Sequence, residues 1–222
     1  MMNEQPAQAT NAEILQILIA EHTNLQAVRS ATVFEANGRT SLFLGAVSSS
    51  LIALAFIGQA SEMGSAFFLF ALILLPSLMF MGWVTFLRVN QTGIEDMMAS
   101  RGINRIHHYY AEIAPLAGNY FIFSTHDDVP GFFQNFGAPS SFFQHFVATA
   151  GLVGVINSVL TAAFAGLLTF SLFRSSLTVC VIASVVIFAI SVAFYARHQQ
   201  RYFEKNEQHV RVLFPSENAL RN

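Results

Sequence analysis

The side chains best suited to chemistry lie in one polar stretch near the middle of the chain. The segment IHHYYAE places His108 and Glu112 four residues apart, on one face of a helix, and His126 and Asp127 follow beyond Pro115. Imidazole and carboxylate groups suit zinc, manganese or iron. These four side chains are therefore weak candidates for a metal site, because no spacing specific to a metal motif accompanies them.

No residue presents itself as a catalyst. The sequence contains no HExxH motif, no CxxC pair, no phosphate loop, no nucleophile elbow and no dinucleotide fingerprint. Cys180 is the single cysteine, so it forms no intrachain disulfide and says nothing about the redox compartment. We expect no catalytic residue, no metal and no cofactor. The alternative is a membrane-bound enzyme or metal protein that uses at least three of His107, His108, Glu112, His126, Asp127 and Asp128.

Charged residues in two polar motifs could pair with one another. Glu35 and Arg39 are four residues apart with the acid first, which allows a pair along one helix face. Arg105 and Glu112 belong to the second motif. Our hypothesis is that an ion pair connects the two motifs, either between Arg39 and Glu112 or between Glu35 and Arg105.

Small and polar residues within long apolar stretches form another set of candidates. Gly45 with Ser49, and Gly154 with Ser158, have the four-residue spacing that lets two helices approach closely. Asn157 should face protein or water, because an unpaired amide in lipid is costly. The pattern predicts helix packing, and an oligomeric channel or pore is the alternative. The full set is Gly45, Ser48, Ser49, Ser50, Gly154, Asn157 and Ser158.

The elements that position these residues follow from the distribution of charge. Only 11% of the 222 residues are charged, against about 25% in soluble proteins, and the mean hydropathy is +0.50. Crossing a hydrocarbon core of about 30 Å takes roughly 20 apolar residues in a helix. Four stretches of suitable length and composition are nearly free of charge. They predict transmembrane helices at about 41–61, 65–87, 147–172 and 176–196.

The predicted fold class is an all-α membrane protein whose four transmembrane helices form two hairpins. We expect a helix from a cap at Asn11 that continues into the first span, a break near Gly102 and a stop before Pro115. The predicted parts are a cytoplasmic N-terminal helix (1–39), transmembrane hairpin 1 (40–87), a helical or irregular cytoplasmic and interfacial segment (88–145), transmembrane hairpin 2 (146–196) and a cytoplasmic tail (197–222).

The basic residues predict the orientation. Four spans would put ten of the 11 Lys and Arg on the side that holds both termini, and Arg174 alone on the other side. Positive charge accumulates on the cytoplasmic side of membrane proteins, so both termini are predicted to be cytoplasmic. The composition excludes a disordered chain, a coiled-coil rod and a basic nucleic-acid binder. The expected partners are the lipid bilayer and further copies of the chain or other membrane subunits, and no nucleic acid.

Three segments carry a resemblance to a known set of proteins. FEANGRTSLFL at 34–44, GINRIHHYYAEIAP at 102–115 and STHDD at 124–128 resemble small bacterial four-span membrane proteins, best represented among actinobacteria. The resemblance covers most of the chain and implies a bacterial source and the inner (plasma) membrane. It implies no activity, so it assigns no catalytic or binding residue. The function expected from the sequence is that of a non-enzymatic membrane protein that acts as a homo-oligomer or complex subunit.

Overall fold

The computed structural model describes residues 10–135, 149–173 and 176–217, and within these ranges every regular element is a helix. Two helices of about fifty residues come first, two short helices follow, and two further long helices complete the described chain. They are α1 (Asn11–Ala60), α2 (Ser65–Ile113), α3 (Pro115–Gly118), α4 (Val129–Gln134), α5 (Thr149–Phe173) and α6 (Leu177–Glu207).

Four of these helices are long and apolar enough to cross a membrane. Each of α1, α2, α5 and α6 contains an 18-residue window with a mean hydropathy between 1.9 and 2.8. Each of the four helices overlaps one of the four spans predicted from the sequence. The all-α class and the presence of four long apolar helices are therefore confirmed.

Helix α1 begins with a reciprocal cap. The Thr10 hydroxyl accepts a hydrogen bond from the backbone N–H of Glu13, and the Glu13 carboxylate accepts one from the backbone N–H of Thr10. The predicted cap at Asn11 is thus wrong by one residue, because Asn11 is already helical. The helix then continues through Gly38 without a break, as the sequence predicted. Consequently, the expected boundary at residue 39 is not a break in secondary structure.

Helix α2 corrects one prediction and confirms another. It passes through Gly102, where a break was predicted. A Cβ atom at this position would lie 2.7 Å from the Leu25 side chain, so the missing side chain lets the helices approach closely instead of ending α2. The helix ends at Ile113, and Ala114 has a non-helical backbone (φ −141°, ψ 76°) directly before Pro115. The stop predicted from Pro115 is therefore correct.

A strained turn joins α1 to α2. Glu62 and Met63 have φ values of 48° and 58°, in the left-handed region that non-glycine residues seldom adopt. Gly64 closes the turn by donating from its N–H to the Ser61 carbonyl. The conformation is held by this bond and by a second one from the Met63 N–H to the Gly58 carbonyl.

The chain divides into two compact units, and α1 and α2 contribute to both. The apolar unit comprises the described residues of Val33–Ile94 and Ser140–Val210. The polar unit comprises the described residues of Met1–Thr32, Glu95–Pro139 and Arg211–Asn222.

The core of the apolar unit is made almost wholly of hydrocarbon. Phe43, Ala71, Phe86 and Val153 are at most 1% exposed and belong to one buried cluster. Aromatic rings extend it, with Phe86 edge-on to Tyr195 at 4.7 Å between centroids. A core of this kind is stabilised by close packing of side chains with very few polar bonds.

Candidate functional site

The polar unit contains a compact site built on two adjacent carboxylates, which we call the carboxylate site (Asp127 and Asp128). Both side chains are buried, at 0% and 4% exposure. Asp128 is the N-cap of α4 and accepts a hydrogen bond of 2.8 Å from the N–H of Gly131. The turn before α4 is so tight that a Cβ on Gly131 would collide with the His126 carbonyl. This local geometry fixes where both carboxylates lie.

Asp127 binds the backbone of the C-terminal segment. Its carboxylate accepts hydrogen bonds from the N–H groups of Leu213 (3.0 Å) and Phe214 (2.8 Å), and its own N–H donates to the Phe214 carbonyl. The Arg105 guanidinium donates to the same carboxylate over 2.6 Å and also bonds the Arg211 carbonyl. The acid is thus paired with a charge and holds the segment through main-chain bonds.

Asp128 binds the same segment two residues further along. Its Oδ2 atom accepts hydrogen bonds from both the N–H and the hydroxyl of Ser216, each 2.6 Å long. The Phe214 ring stacks on His108, with 3.8 Å between ring centroids. Residues 211–216, which we call the C-terminal segment, are therefore held by charge-assisted hydrogen bonds and by one ring contact.

Amide side chains support the loop that carries the two acids. Asn104 donates to the His126 carbonyl over 2.7 Å, and the Asn135 amide donates to Asn104 and Ser100. Asn135 also accepts a hydrogen bond from the N–H of Ser124. Because Asn104 and Ser100 are fully buried, these bonds satisfy groups that would otherwise lie unpaired in the interior.

The hydrogen bonds determine the charge state of the two acids. Burial by itself raises the pKa of Asp127, but the N–H groups of Leu213 and Phe214 and the Arg105 guanidinium outweigh it, so the pKa lies below its ordinary value of 3.8. Burial likewise opposes the bonds from Ser216 and Gly131 at Asp128, and its pKa is also lowered. Both acids are therefore ionised at neutral pH and act as acceptors.

The candidate metal ligands serve other contacts in the structure. His108 stacks on Phe214 and lies 3.5 Å from Glu112, which is one helical turn away. Asp127 is occupied by Arg105 and the C-terminal segment, and the carbonyl of His126 bonds Asn104. Within the described ranges, no three His, Cys, Asp or Glu side chains form a group that could hold a metal ion.

A second charged cluster lies in the apolar unit. Glu35 accepts hydrogen bonds from Arg39, as its spacing suggested, and from Arg88 through two donors at 2.8 and 3.0 Å. The bonds from Arg88 and Arg39 lower the pKa of Glu35 to about 2. The charged partners that the structure gives to Glu35, Arg39, Arg105 and Glu112 thus differ from those of the pairing hypothesis. Arg105 bonds Asp127, and Glu112 lies beside His108.

The polar residues predicted in the third span lie inside the apolar unit. Asn157 is 2% exposed and donates to the Met79 carbonyl (3.0 Å) and to the Tyr195 hydroxyl. Gly82 makes room for it, since a Cβ there would lie 2.5 Å from the Asn157 Oδ1 atom. Ser158 is buried and bonds the Gly154 carbonyl, one turn earlier on its own helix. Asn157 therefore joins α5 to α2 and α6.

The small residues predicted in the first span face outward. Ser48 and Ser49 are exposed, and Ser50 is partly buried. The Ser49 hydroxyl bonds the carbonyls of Gly45 and Ala46 on its own helix. In the described part of the chain, no side chain and no other helix comes within 4 Å of the place where a Cβ on Gly45 would sit. This face of α1 is therefore available for contact with lipid or another chain.

Sequence reasoning missed the C-terminal segment and Arg88 as partners. The segment is separated from Asp127 by more than eighty residues, and backbone N–H groups are the same in every sequence, so no residue type announces the contact. Asp128 did carry a signal, because an Asp followed by Pro130 is typical of a helix N-cap. The pair between Arg88 and Glu35 could not be predicted, because it depends on how α1 and α2 are rotated against each other.

Comparison with known proteins adds no further constraint: no family model, curated protein or solved structure matches this chain.

Proposed function

We propose that this chain is a non-enzymatic integral membrane protein of the bacterial inner membrane, with four spans in two hairpins. It acts as a homo-oligomer or as one subunit of a larger membrane complex. In this proposal the four predicted spans cross the bilayer, and residues 1–39, 88–145 and 197–222, with both termini, lie on the cytoplasmic side.

The observation that carries the proposal is the exposure of the apolar helices. The most apolar 18-residue window of α6 has a mean hydropathy of 2.8, yet only 6% of it is buried. The corresponding figures for α1 are 2.0 and 17%. A contiguous apolar surface of this size is unstable in water, so lipid or other membrane subunits must cover it.

Two further observations support the non-enzymatic role. The polar groups of the carboxylate site are engaged in bonds to the protein itself, and Asp127, Asp128 and Arg105 all hold the C-terminal segment. Asn157 is also used within the apolar unit, where it bonds to Met79 and Tyr195. These side chains therefore stabilise the fold. Each would have to give up one of these hydrogen bonds before the same atoms could contact a substrate.

The orientation rests on the positive-inside rule and on the resemblance to small actinobacterial membrane proteins. The test uses Cys180, the single cysteine. In a Cys180→Ala background, single cysteines placed at positions 11, 63 and 209 would be labelled with a membrane-impermeant maleimide on intact bacterial cells that express the chain. We expect labelling at position 63 alone. Labelling at 11 or 209 would overturn the orientation.

An oligomeric pore remains the second candidate, and one observation favours it. The face of α1 with Gly45, Ser48 and Ser49 is exposed, so it could line a path between copies. Native mass spectrometry in mild detergent would give the subunit number, and ion flux into vesicles would test conduction. A monomer, or an oligomer without flux, would leave the pore reading without support.

A further inference from the structure

Two arginines share one carboxylate in the apolar unit, and we call this group the arginine cluster (Glu35, Arg39 and Arg88). The Nε atoms of Arg39 and Arg88 both donate to Glu35 Oε1 over 2.8 Å, and Arg88 Nη2 donates to Oε2 over 3.0 Å. The other terminal nitrogen of Arg88 donates to the Gln91 side chain over 3.3 Å. Arg88 therefore holds Glu35 by two hydrogen bonds, and Glu35 in turn orients Arg39.

The arginine cluster has a net charge of +1, because two guanidinium groups face one carboxylate. Glu35 is ionised at neutral pH, since its bonds to Arg88 and Arg39 lower its pKa to about 2. Among the described residues, nothing bonds the two terminal nitrogens of Arg39, whose side chain is 47% exposed. These nitrogens form a planar fork of N–H donors that matches two oxygens of a phosphate group. Arg39 is therefore an oriented cation that can bind an anion.

The arginine cluster lies where the sequence predicts the boundary of the bilayer. Arg39 precedes the span predicted to begin near residue 41, and Arg88 directly follows the span predicted to end at residue 87. Leu42 lies three residues after Arg39, on a neighbouring part of the same helix face, and it is 76% exposed. A phospholipid joins its groups in the same order, with the phosphate at the boundary and the hydrocarbon inside it. The site therefore fits an anion that carries acyl chains better than it fits a soluble one.

We propose that the arginine cluster binds the phosphate group of an anionic phospholipid in the cytoplasmic leaflet. Arg39 donates to the phosphate oxygens, and Glu35 and Arg88 are positioning residues that hold Arg39 in place. This proposal rests on the proposed membrane function, because the bilayer supplies the ligand. An anionic lipid offsets the net charge of the cluster, whereas the quaternary ammonium of phosphatidylcholine already neutralises its own phosphate. The site therefore prefers anionic to zwitterionic lipid.

The test measures lipid binding to the full chain in mild detergent by native mass spectrometry. Dioleoyl-phosphatidylglycerol and dioleoyl-phosphatidylcholine are titrated separately, so that the two lipids differ in their head groups alone. The ionic strength is kept at about 0.15 M, where attraction between exposed charges more than ~8 Å apart is largely screened. We expect phosphatidylglycerol to bind roughly fivefold more tightly than phosphatidylcholine, which is the effect of one basic side chain beside an anionic lipid.

Two matched substitutions separate an oriented site from general attraction by positive charge. Arg39→Gln should weaken phosphatidylglycerol binding roughly tenfold, because it removes charge-assisted hydrogen bonds to the phosphate. Arg197→Gln is the control: Arg197 is exposed and directly follows the span predicted to end at residue 196, and within the described ranges it has no ion pair. We expect this control to lose less than about twofold, because only screened attraction is removed.

A third substitution keeps the charge of Arg39 and changes its geometry. Arg39→Lys should weaken phosphatidylglycerol binding by roughly threefold or more, because an ammonium group lacks both the planar fork and the Nε donor that Glu35 accepts from. Gel filtration and thermal unfolding would check that each variant is folded. Arg39 is half-exposed, so its replacement leaves the buried core untouched.

Three results would overturn the proposal. Equal losses in Arg39→Gln and Arg197→Gln would show that any cation at the boundary attracts the lipid equally. Full affinity in Arg39→Lys would show that the orientation set by Glu35 has no role. Displacement of phosphatidylglycerol by an equal concentration of inorganic phosphate would identify a soluble anion as the ligand. Alkaline extraction tests the membrane function separately: release of the chain would refute that function, whereas a retained chain without lipid preference refutes the lipid site alone.

Discussion

The polar and apolar units achieve buried order by opposite means. The polar unit buries Asp127, Asp128, Ser100 and Asn104, and it satisfies them through bonds that cross long stretches of sequence. The apolar unit buries a hydrocarbon cluster, and the polar side chains buried in its described residues are uncharged. Asn90, Thr92 and Ser158 bond a carbonyl of their own helix, and Asn157 alone of these bonds two other helices. The difference shows which interactions determine the structure of each unit. Bond geometry specifies the polar unit, whereas shape and close packing specify the apolar unit.

Removing Asp127 should have the largest effect and should break the polar unit alone. Asp127→Ala deletes the partner of Arg105 and two main-chain acceptor contacts, so we expect a loss of about 3 kcal/mol, the lower end for buried pairs because Arg105 is partly exposed. Thermal unfolding in detergent and limited proteolysis after Arg211 would measure it. Glu112→Gln is the control, because that side chain is 61% exposed. Equal effects of the two variants would contradict the importance of the carboxylate site.

Crowding Gly82 should have the next largest effect, this time in the apolar unit. In Gly82→Ala the new Cβ would lie 2.5 Å from Asn157 Oδ1 and 2.9 Å from Phe43, so we expect destabilisation by about 1–3 kcal/mol through overpacking. Denaturation in mixed detergent micelles would measure it. The cost should shrink when Asn157→Ala is combined with it, because the clashing amide is gone. Additive effects would show that the strain lies elsewhere.

Acidification should loosen the C-terminal segment by a smaller amount. The bound acids have lowered pKa values, so their stabilisation is present above 3.8 and is lost as the pH falls below that value towards the lower pKa of the bound state. Proteolysis by an acid-active protease, or hydrogen exchange at residues 213–216, should show faster opening from pH 4 to pH 3. The Asn157 region should not respond, since it contains no carboxylate in its hydrogen bonds.

The smallest effect on stability should occur at Gly45. Whether a substitution there stabilises or destabilises the protein distinguishes an exposed helix face from a packed one such as that at Gly82. Among the described residues, no side chain or other helix lies near its missing Cβ, so in a monomer Gly45→Ala should be neutral or stabilising by up to about 1 kcal/mol through helix propensity. Thermal unfolding and native mass spectrometry would be measured together. Dissociation of an oligomer by this substitution would instead place Gly45 at an interface between copies, as the proposed assembly allows.

Much of the fold could be predicted from local features of the sequence. The four apolar helices followed from runs without charge, and the end of α2 followed from Pro115. Two local readings were wrong, and both errors have physical causes. Thr10 caps α1 in place of Asn11 because Glu13 completes the reciprocal bond three residues later. Gly102 does not break α2 because Leu25 packs against the space it leaves.

The sites were harder to predict because their partners are distant in sequence. The sequence singled out Asn157 as a polar group that needs a partner, and His108 and Asp127 as weak candidates for a metal site. It did not indicate that Asp127 binds main-chain N–H groups near Phe214, or that Asn157 bonds Tyr195 beside Gly82. Main-chain donors carry no sequence signature, and a glycine on a helix does not reveal which side chain needs its space.

The sequence alone determined what is set by composition and spacing along the chain: helices, four long apolar stretches and a polar stretch rich in His and Asp. These depend on local preference and on the free energy of burying hydrocarbon, which each segment carries with it. Only the tertiary structure decided which groups meet, such as Asp127 with the C-terminal segment and Glu35 with Arg88. Those contacts depend on how helices pack and rotate, and that geometry arises only when the whole unit closes.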